Sequence, residues 1–371
     1  MATPDINSKP FDEGTTTKLD LFEAYAKEWL PVFLAGATIH YPEINIVDFC
    51  AGSGTDSEGA FGSSLRLLSV IDGQKQYLSR PDVKLKLFLS DSDDGKIARL
   101  RNAIDASPFA ALSGQIHPDI KACTFADRLA ELLPALRSKK SANLLIVDKY
   151  GIKEMPDSRF LEMTSLPTTD MMFFVTASTF HRFQNVPAIK RYLDVTHAET
   201  YNRALIAVCA ANQGLIPKDR NYYLTPFSIK KRSNIYGVLF GTAHRLGMVK
   251  FLNVAWTLDG VNGSANFDIE EEGIYGVADQ LLPGLNIPKK VTYFEAECER
   301  LIRSGEIRDE RGLLLLCFEH GITPQHAKPV MTKLRKSGEI KCNWWVPQVD
   351  EKNPPRSWTM CTQPRPSVPV S

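Results

Sequence analysis

The most chemically suggestive segment of the chain is a glycine-containing turn that follows a short apolar run. The run Ile-Asn-Ile-Val at residues 44–47 predicts a buried parallel strand, and Asp48 closes it. Gly52 and Gly54 in the turn tolerate positive φ and let a ligand approach the backbone closely. Such a turn suits a nucleotide-like ligand at the carboxyl end of a strand in an open α/β sheet.

Three ligand classes compete for this turn. A P-loop requires G-x-x-x-x-G-K-[ST], and no lysine follows a glycine within the turn, which argues against ATP or GTP. The dinucleotide fingerprint G-x-G-x-x-G would place its third glycine at position 57, where the chain has Ser57. NAD and FAD are therefore weakly indicated.

The third class is indicated by a resemblance. Residues 48–55 closely resemble motif I of amino-methylating DNA methyltransferases, which commonly reads D-P-F-A-G-S-G-T. The resemblance implies S-adenosylmethionine as the cofactor, with the backbone of residues 52–54 packed on it and Asp48 near its amino-acid end. The candidate cofactor-binding residues of the turn are Asp48, Ala51, Gly52, Ser53, Gly54 and Thr55. The alternative is an ordinary glycine turn between a strand and a helix.

Acidic residues follow the next predicted strand, at residues 83–89. An acidic side chain at the end of the second strand of such a sheet hydrogen-bonds ribose hydroxyls, so Asp91 and Asp93 are candidates for that contact. The alternative for Asp93 is the N-cap of a helix that begins near Gly95.

The candidate catalytic residues follow a further apolar strand, at residues 142–147. Asp148-Lys149-Tyr150-Gly151 stands where exocyclic-amine methyltransferases keep their [DNS]-P-P-[YFW] motif. The resemblance implies that Asp148 accepts a hydrogen bond from the target amine and that Tyr150 stacks on a flipped base. Both prolines of that motif are missing here.

A stretch with no acidic residue extends from Arg220 to Leu258 and interleaves basic with aromatic side chains. Basic groups neutralise phosphates and aromatic rings stack on bases, so the stretch is a candidate nucleic-acid face with Lys230, Lys231 and Arg232 as its basic contacts. The alternative is a solvated loop around these three residues, with aromatic side chains that fill the core.

A different module is predicted from about residue 288. Two helices, a turn with Pro324, a third helix and a strand follow the order of a winged helix, whose third helix enters a major groove. Apolar residues at i, i+3, i+4 and i+7 from Ala327 predict the buried face of that helix. The outward-facing candidates for nucleic-acid contact are His326, Lys328, Lys333 and Lys336. The alternative is a small helical interaction module without nucleic acid.

Strands that alternate with helices predict an α/β fold with a doubly wound parallel sheet. Together with the methyltransferase motifs, this predicts a Rossmann-like class I methyltransferase sheet with a C-terminal winged-helix module. The predicted organisation is an α/β domain at 1–260, a linker or excursion at 261–287, the winged-helix module at 288–350 and a disordered tail at 351–371.

Composition adds limits to these interpretations. The chain has 371 residues, 43% of them hydrophobic, and a net charge of +1, so any nucleic-acid surface must be a local patch. Its seven cysteines are scattered without a C-x-x-C pair, which argues against a zinc ribbon and predicts reduced thiols in the cytoplasm. No segment has the pattern of a signal peptide or a membrane span, so no membrane association is expected.

Most of the chain resembles the three-Cys-motif partner family, bacterial proteins with a methyltransferase-like domain and a C-terminal winged helix. The matching segments are residues 18–31, 47–54, 62–65, 146–151 and 319–340, although family members usually show Asp-Pro-Phe-Gly where this chain has residues 148–151. The family name implies a separate partner protein that carries a cysteine motif. The main hypothesis is a methyltransferase that acts on DNA or RNA in a bacterial defence or mobile-element system. The alternative is a catalytically inactive nucleic-acid- or protein-binding adaptor on the same scaffold.

Overall fold

The structure is a computed structural model that describes residues 9–148, 156–176, 204–231, 234–260, 289–348 and 353–361. Seven strands of these residues form one sheet. The strands are β1 (Glu43–Asp48), β2 (Lys84–Asp91), β3 (Asp119–Ala122), β4 (Ser141–Val147), β5 (Thr169–Thr176), β6 (Tyr223–Lys231) and β7 (Asn234–Thr242). The central strands are nearly continuous apolar runs because helices cover both of their faces.

The strand order is β3-β2-β1-β4-β5-β7-β6. The first five strands pair in parallel, whereas β7 runs antiparallel to both of its neighbours. Asp48 lies beside Leu89 of β2 and Ile146 of β4, so these three strands end at the same edge. The chain changes direction across the sheet between β1 and β4, which is where open sheets bind their ligands. This order confirms the predicted Rossmann-like class I methyltransferase sheet.

Helices cover both faces of the sheet. In the α/β part they are α1 (Glu13–Leu34), α2 (Ser63–Asp72), α3 (Asp94–Asp105), α4 (Ala110–Ile116), α5 (Phe125–Leu136), α6 (Asp157–Met163), α7 (Ala204–Leu215) and α8 (Arg245–Leu258). Successive strand residues point to opposite faces, so Ile46 joins the core beneath α1, α2 and α8 while Val47 joins the core beneath α5 and α7. No described helix combines the length and apolar character needed to cross a membrane.

The C-terminal part consists of α9 (Lys289–Ser304), α10 (Glu310–Glu319), a 3-10 turn (Pro324–His326), α11 (Ala327–Lys336) and the antiparallel pair β8 (Ile340–Lys341) and β9 (Thr359–Met360). It packs directly on the sheet domain and shares its apolar core. The indole N–H of Trp256 donates to the carbonyl of Gly321 at 3.0 Å, and the rings of Tyr223 and Phe318 lie 5.5 Å apart. The order of helices is the predicted one, and the winged-helix assignment stays a prediction.

The predicted disordered tail is corrected at residues 353–361. This segment supplies β9, and its Trp358 is buried with its ring 5.9 Å from that of Trp344. The repeated prolines suggested disorder, but proline is compatible with an extended segment at the edge of a structure. The remaining predicted tail, 362–371, and the predicted linker, 261–287, lie outside the described residues.

Three expectations from local sequence pattern differ from the structure. The apolar residues at 251–256 suggest a strand, but they belong to helix α8, where Phe251, Leu252 and Ala255 share one buried face at helical spacing. Ser63 or Ser64 is the expected N-cap of α2, whereas the helix begins at Ser63 with Gly62 as its N-cap. Pro329 is unexpected within a helix, but it lies in the first turn of α11, where backbone N–H groups have no helical partner.

Candidate functional site

The turn after β1 is tied to the end of β2. Gly52 and Gly54 have φ angles of 63° and 89°, which residues with side chains rarely adopt. The N–H of Ala51 donates to the carbonyl of Ser90 at 2.8 Å, and the N–H of Gly52 donates to Oδ2 of Asp91 at 3.3 Å. The predicted glycine turn and the predicted ribose-binding strand end are therefore held together.

Gly54 also lets α3 approach the turn closely. A Cβ at position 54 would lie 2.9 Å from Cβ of Ala103 and 3.1 Å from Cδ1 of Leu100. Its missing side chain therefore serves the packing of α3 as well as the shape of the turn. A bulky substitution here would disturb the fold and would not test the ligand site alone.

We expect Gly54→Ala to lower the free energy of unfolding by about 2–4 kcal/mol, because backbone strain and overpacking add together. Gly59→Ala is a matched control, since Gly59 has a similar φ of 85° but nothing lies within 4 Å of a Cβ there. Its expected loss is about 1–2 kcal/mol, from strain alone. Urea unfolding of both variants makes the comparison, and equal losses would argue against close packing at Gly54.

Two other candidate residues of the turn have contacts within the protein. Ser53 is buried, and its Oγ accepts a hydrogen bond from Nε of Arg99 on α3 at 3.2 Å. Thr55 forms an antiparallel bridge with Phe61 at the base of a loop that leads into α2. Within this loop, Asp56 accepts the N–H of Phe11 at 2.7 Å, which holds the segment before α1 beside the turn.

Asp48 is a buried carboxyl group with spare hydrogen-bonding capacity. The N–H of Cys50 donates to Oδ1 at 3.0 Å, whereas Oδ2 has no hydrogen-bond partner among the described residues. Burial raises the pKa of Asp48 to about 7, with further increases from the negative charges of Asp148 and Asp91. The Ser63 hydroxyl, which lies near the carboxyl group, and the Cys50 N–H, which donates to Oδ1, oppose this increase only in part. A cation placed against Oδ2 would stabilise the ionised form.

The two acidic candidates after β2 have different roles. Oδ1 of Asp91 accepts the N–H of Asp93 at 3.1 Å, so each of its carboxylate oxygens holds one backbone N–H of the turn or of the strand end. Asp93 is the N-cap of α3 and accepts the N–H of Lys96 at 2.9 Å. The backbone contacts of exposed Asp93 lower its pKa. The capping alternative is therefore observed for Asp93, and Asp91 is the better ribose candidate.

Asp148, the candidate catalytic residue, is engaged by a lysine that the sequence interpretation did not include. Nζ of Lys18 lies 2.5 Å from Oδ2 of Asp148, with the two side chains 6% and 14% exposed. The same ammonium group lies 4.8 Å from the centre of the Phe174 ring on β5. The carboxyl end of β4 therefore carries a nearly buried ion pair.

Lys18 was identifiable only in part from the sequence. It stands three, four and seven residues before Leu21, Phe22 and Tyr25, which places it on the buried stripe of α1. A lysine on an apolar stripe requires a partner or a route to solvent. The sequence pattern does not identify that partner, which lies 130 residues away along the chain.

In the predicted basic and aromatic face, several of the side chains that the structure describes contribute to the protein's own core and hydrogen bonds. Tyr222, Tyr223 and Phe227 are buried in the core, so the core-filling alternative applies to them. Arg220 donates to the carbonyl of Leu161 at 3.1 Å. The candidates Lys230 and Lys231 are the last residues of β6. The candidates Arg232 and Tyr150 lie outside the described residues.

His326 does not face outward as predicted. It belongs to the 3-10 turn before α11, where its Nδ1 lies 2.7 Å from Oγ1 of Thr323 and its ring lies 4.1 Å from that of Trp256. Burial lowers the pKa of His326. Lys333 is exposed but pairs with Glu299 at 2.6 Å. The candidates Lys328 and Lys336 are exposed on α11.

No protein-family model matches this chain, and no curated protein matches it. Similar solved structures include a putative methyltransferase, yhhF, from Escherichia coli, with 13% identity, coverage of 58% of this chain and 84% of that chain, and a TM-score of 0.26. The O-methyltransferase TomG from Streptomyces achromogenes takes part in tomaymycin synthesis and was solved with S-adenosylmethionine. It is 12% identical, the match covers 63% of this chain and 90% of that chain, and the TM-score is 0.30. A fibrillarin/Nop5p complex is 9% identical, with coverage of 58% of this chain and 81% of that chain and a TM-score of 0.27. The fold assignment rests on the strand order and register described above.

Proposed function

We propose that this chain binds S-adenosylmethionine at the β1 turn and transfers its methyl group to nucleic acid. The observation that carries the proposal is the convergence of Asp48, Asp91 and Asp148 at the switch point of a class I methyltransferase sheet. S-adenosylmethionine brings a sulfonium and an ammonium cation, which carboxylates attract. NAD and ATP would bring phosphate anions to the same acidic edge.

The roles of the individual residues follow from their positions. The free Oδ2 of Asp48 is an acceptor for the ammonium group of the cofactor. Asp91 retains acceptor capacity for ribose hydroxyls, because a carboxylate has about four acceptor sites. Asp148 lies where the methyl acceptor would be presented, and Tyr150 remains the sequence-based candidate for stacking beside it.

Calorimetric titration with S-adenosylmethionine, with NAD and ATP as competing candidates, tests the cofactor. We expect specific binding of S-adenosylmethionine and a loss of about 10–100-fold in Asp91→Ala, since hydrogen bonds to a charged group are removed. Asp93→Ala is the matched control, because that carboxylate is exposed and caps α3, and its affinity should stay unchanged. Equal or tighter binding of NAD or ATP would contradict the proposal.

The nucleic-acid part of the proposal is supported by the exposed end of the C-terminal part. Lys328 and Lys336 are exposed on α11. Arg335 lies 4.0 Å from the ring of Trp345, whose side chain is 44% exposed. Cationic groups beside an exposed aromatic ring suit a phosphate backbone and an unstacked base.

We expect the double variant Lys328→Ala/Lys336→Ala to weaken binding to DNA or RNA and to reduce the slope of log K against log salt by about 2, one for each phosphate that is no longer neutralised. Lys333→Ala is the control, because Lys333 already pairs with Glu299. Fluorescence anisotropy over a series of salt concentrations measures the slopes. An unaltered slope in the double variant would assign α11 to a protein partner instead.

The Lys18–Asp148 ion pair also supports a second candidate function. It occupies the carboxylate that a target amine would need, as expected in a catalytically inactive nucleic-acid- or protein-binding adaptor on this scaffold. Binding of S-adenosylmethionine without transfer to any nucleic acid would favour this alternative. The resemblance to the three-Cys-motif partner family further supports, for either function, a separate cysteine-motif partner and a place in a bacterial defence or mobile-element system.

A further inference from the structure

We propose that the methyl acceptor is an oxygen, the 2′-hydroxyl of an RNA ribose, and that Lys18 imposes this choice. The inference rests on the proposed methyl transfer and names its acceptor class. It departs from the exocyclic amine that the Asp148 motif resemblance implies. The geometry of the Lys18–Asp148 pair carries it.

The ammonium group of Lys18 is fixed by three elements. It extends from α1, lies 2.5 Å from Oδ2 of Asp148 after β4 and lies over the Phe174 ring of β5. Both side chains of the ion pair are more than four-fifths buried. A positive charge is therefore held beside the carboxylate that would receive the acceptor, and little water screens it.

This charge affects the two acceptor classes in opposite ways. An amine that attacks a methyl group acquires positive charge in the transition state, and the Lys18 ammonium would repel it. The amine would also compete with Lys18 for Asp148. A hydroxyl instead loses its proton and gains oxyanion character, which a fixed ammonium stabilises. Lys18 and Asp148 together therefore suit a hydroxyl.

The transfer step balances with these two residues and the cofactor. A lone pair of the hydroxyl oxygen forms the new O–C bond to the methyl carbon. The electron pair of the breaking C–S bond returns to sulfur, which converts the sulfonium to a neutral thioether. The hydroxyl proton passes to the Asp148 carboxylate and then to water, while Lys18 remains protonated throughout.

The surroundings of Lys18 favour a nucleoside as the carrier of that hydroxyl. The half-buried rings of Phe174 and Tyr236 are stacked, with their centres 5.9 Å apart and their planes 16° apart. The Phe174 ring already has the Lys18 ammonium over it, so Tyr236 beside it is the ring that would receive an unstacked base, as aromatic side chains do in RNA-binding sites. Among nucleic acids, only RNA carries a hydroxyl at each ribose along its strand, so an oxygen acceptor selects RNA over DNA.

The test uses the full chain with methyl-tritiated S-adenosylmethionine and two probes, a randomised RNA transcript and DNA of the same length and design. Alkaline hydrolysis locates the label, because a 2′-O-methylated linkage resists alkali. We expect label in alkali-resistant dinucleotides from RNA and none in DNA. Lys18→Met should reduce this transfer by about 10²–10³-fold and leave the calorimetric affinity for S-adenosylmethionine within about threefold.

Two further variants separate the charge of Lys18 from its position and its contribution to folding. Lys18→Gln keeps a hydrogen-bond donor on a side chain one bond shorter but carries no charge, so it should lose transfer as Lys18→Met does. Lys27→Met, on the same helix with a 57% exposed side chain, should transfer at the normal rate. Circular dichroism confirms that each variant is folded.

The remaining outcomes distinguish failure of this inference from failure of the proposed function. Label in methylated bases, label in DNA, or faster transfer by Lys18→Met would overturn the oxygen acceptor. Binding of S-adenosylmethionine without transfer to RNA would also overturn it, while leaving the cofactor site intact. Absence of S-adenosylmethionine binding in the unaltered protein would overturn the proposed function itself.

Discussion

Asp48→Asn is expected to stabilise the protein by up to about 4 kcal/mol at pH 8 and to weaken its binding of S-adenosylmethionine. The gain follows from the rise of the Asp48 pKa from 3.8 to about 7 in the folded chain, which corresponds to about 4 kcal/mol. Asparagine removes the buried charge that causes this cost. The same change removes the anionic acceptor that we assign to the cofactor ammonium group.

The sign of the pH dependence follows from proton binding in the two states. Below pH 4 both the folded and the unfolded chain hold Asp48 protonated, and its full contribution to stability is present. Between pH 4 and 7 only the folded chain keeps the proton, so its stability relative to the unfolded chain falls as the pH rises. Above pH 7 no further loss occurs. Asp48→Asn should lack this fall.

Urea unfolding at pH 5, 6, 7 and 8, followed by circular dichroism, measures the effect as the difference between the two proteins. Asp93→Asn is the control of opposite sign, because its exposed carboxyl has a lowered pKa. Parallel profiles for the unaltered protein and Asp48→Asn would show that Asp48 is not a buried acid of raised pKa. A second readout is available, since a bound cation should lower the pKa of Asp48 and make S-adenosylmethionine bind more tightly as the pH rises from 5 to 8.

Glu310→Ala is expected to destabilise the C-terminal part by about 3–5 kcal/mol, because it removes the acceptor of two backbone N–H groups and the carboxylate partner of Arg356. Glu310 is 6% exposed, and its carboxylate accepts the N–H groups of Gln348 and Arg356 and the guanidinium of Arg356. These contacts lower the pKa of Glu310 and hold the chain segment at residues 353–361 across the start of α10.

The matched control is Glu306→Ala. Glu306 also pairs with an arginine, Arg300, but its side chain is 56% exposed, so a loss of only about 0–1 kcal/mol is expected. Urea unfolding measures both losses, and limited proteolysis reports release of the C-terminal segment. A Glu310→Ala protein as stable as the Glu306→Ala protein would mean that Arg356 finds another partner.

Local pattern predicted much of the sheet and its glycine turn. The strands β1, β2 and β4 are short apolar runs that end at polar or glycine residues. Each run and the residues that end it lie within a few positions of each other, so local sequence is enough to predict them. Strand β3 was not predicted, because its four residues are partly exposed at the sheet edge and have no apolar run. The helical spacing of apolar residues in α11 predicted its buried face. The 3-10 turn that places His326 against Trp256 has no comparable pattern in the sequence.

The charged contacts of the site depend on chain folding that no local pattern encodes. Lys18 and Asp148 are 130 residues apart, and Glu310 and Arg356 are 46 apart. Each of these side chains has an ordinary local interpretation. Lys18 lies on the apolar face of a helix, Asp148 follows a strand, Glu310 begins a helix and Arg356 lies in a polar segment near the C-terminus. The sequence therefore predicted where the candidate site lies, while the charge that surrounds Asp148 became visible only in the structure.

Two contacts join the C-terminal part to the sheet domain, one between Trp256 and Gly321 and the other between Tyr223 and Phe318. One apolar core continues through these contacts, so packed side chains join α11 to the sheet domain. Under the proposed function, a nucleic-acid strand bound at α11 would reach the cofactor site at a fixed number of nucleotides from α11. The methylated position would then be set by its distance from the bound segment.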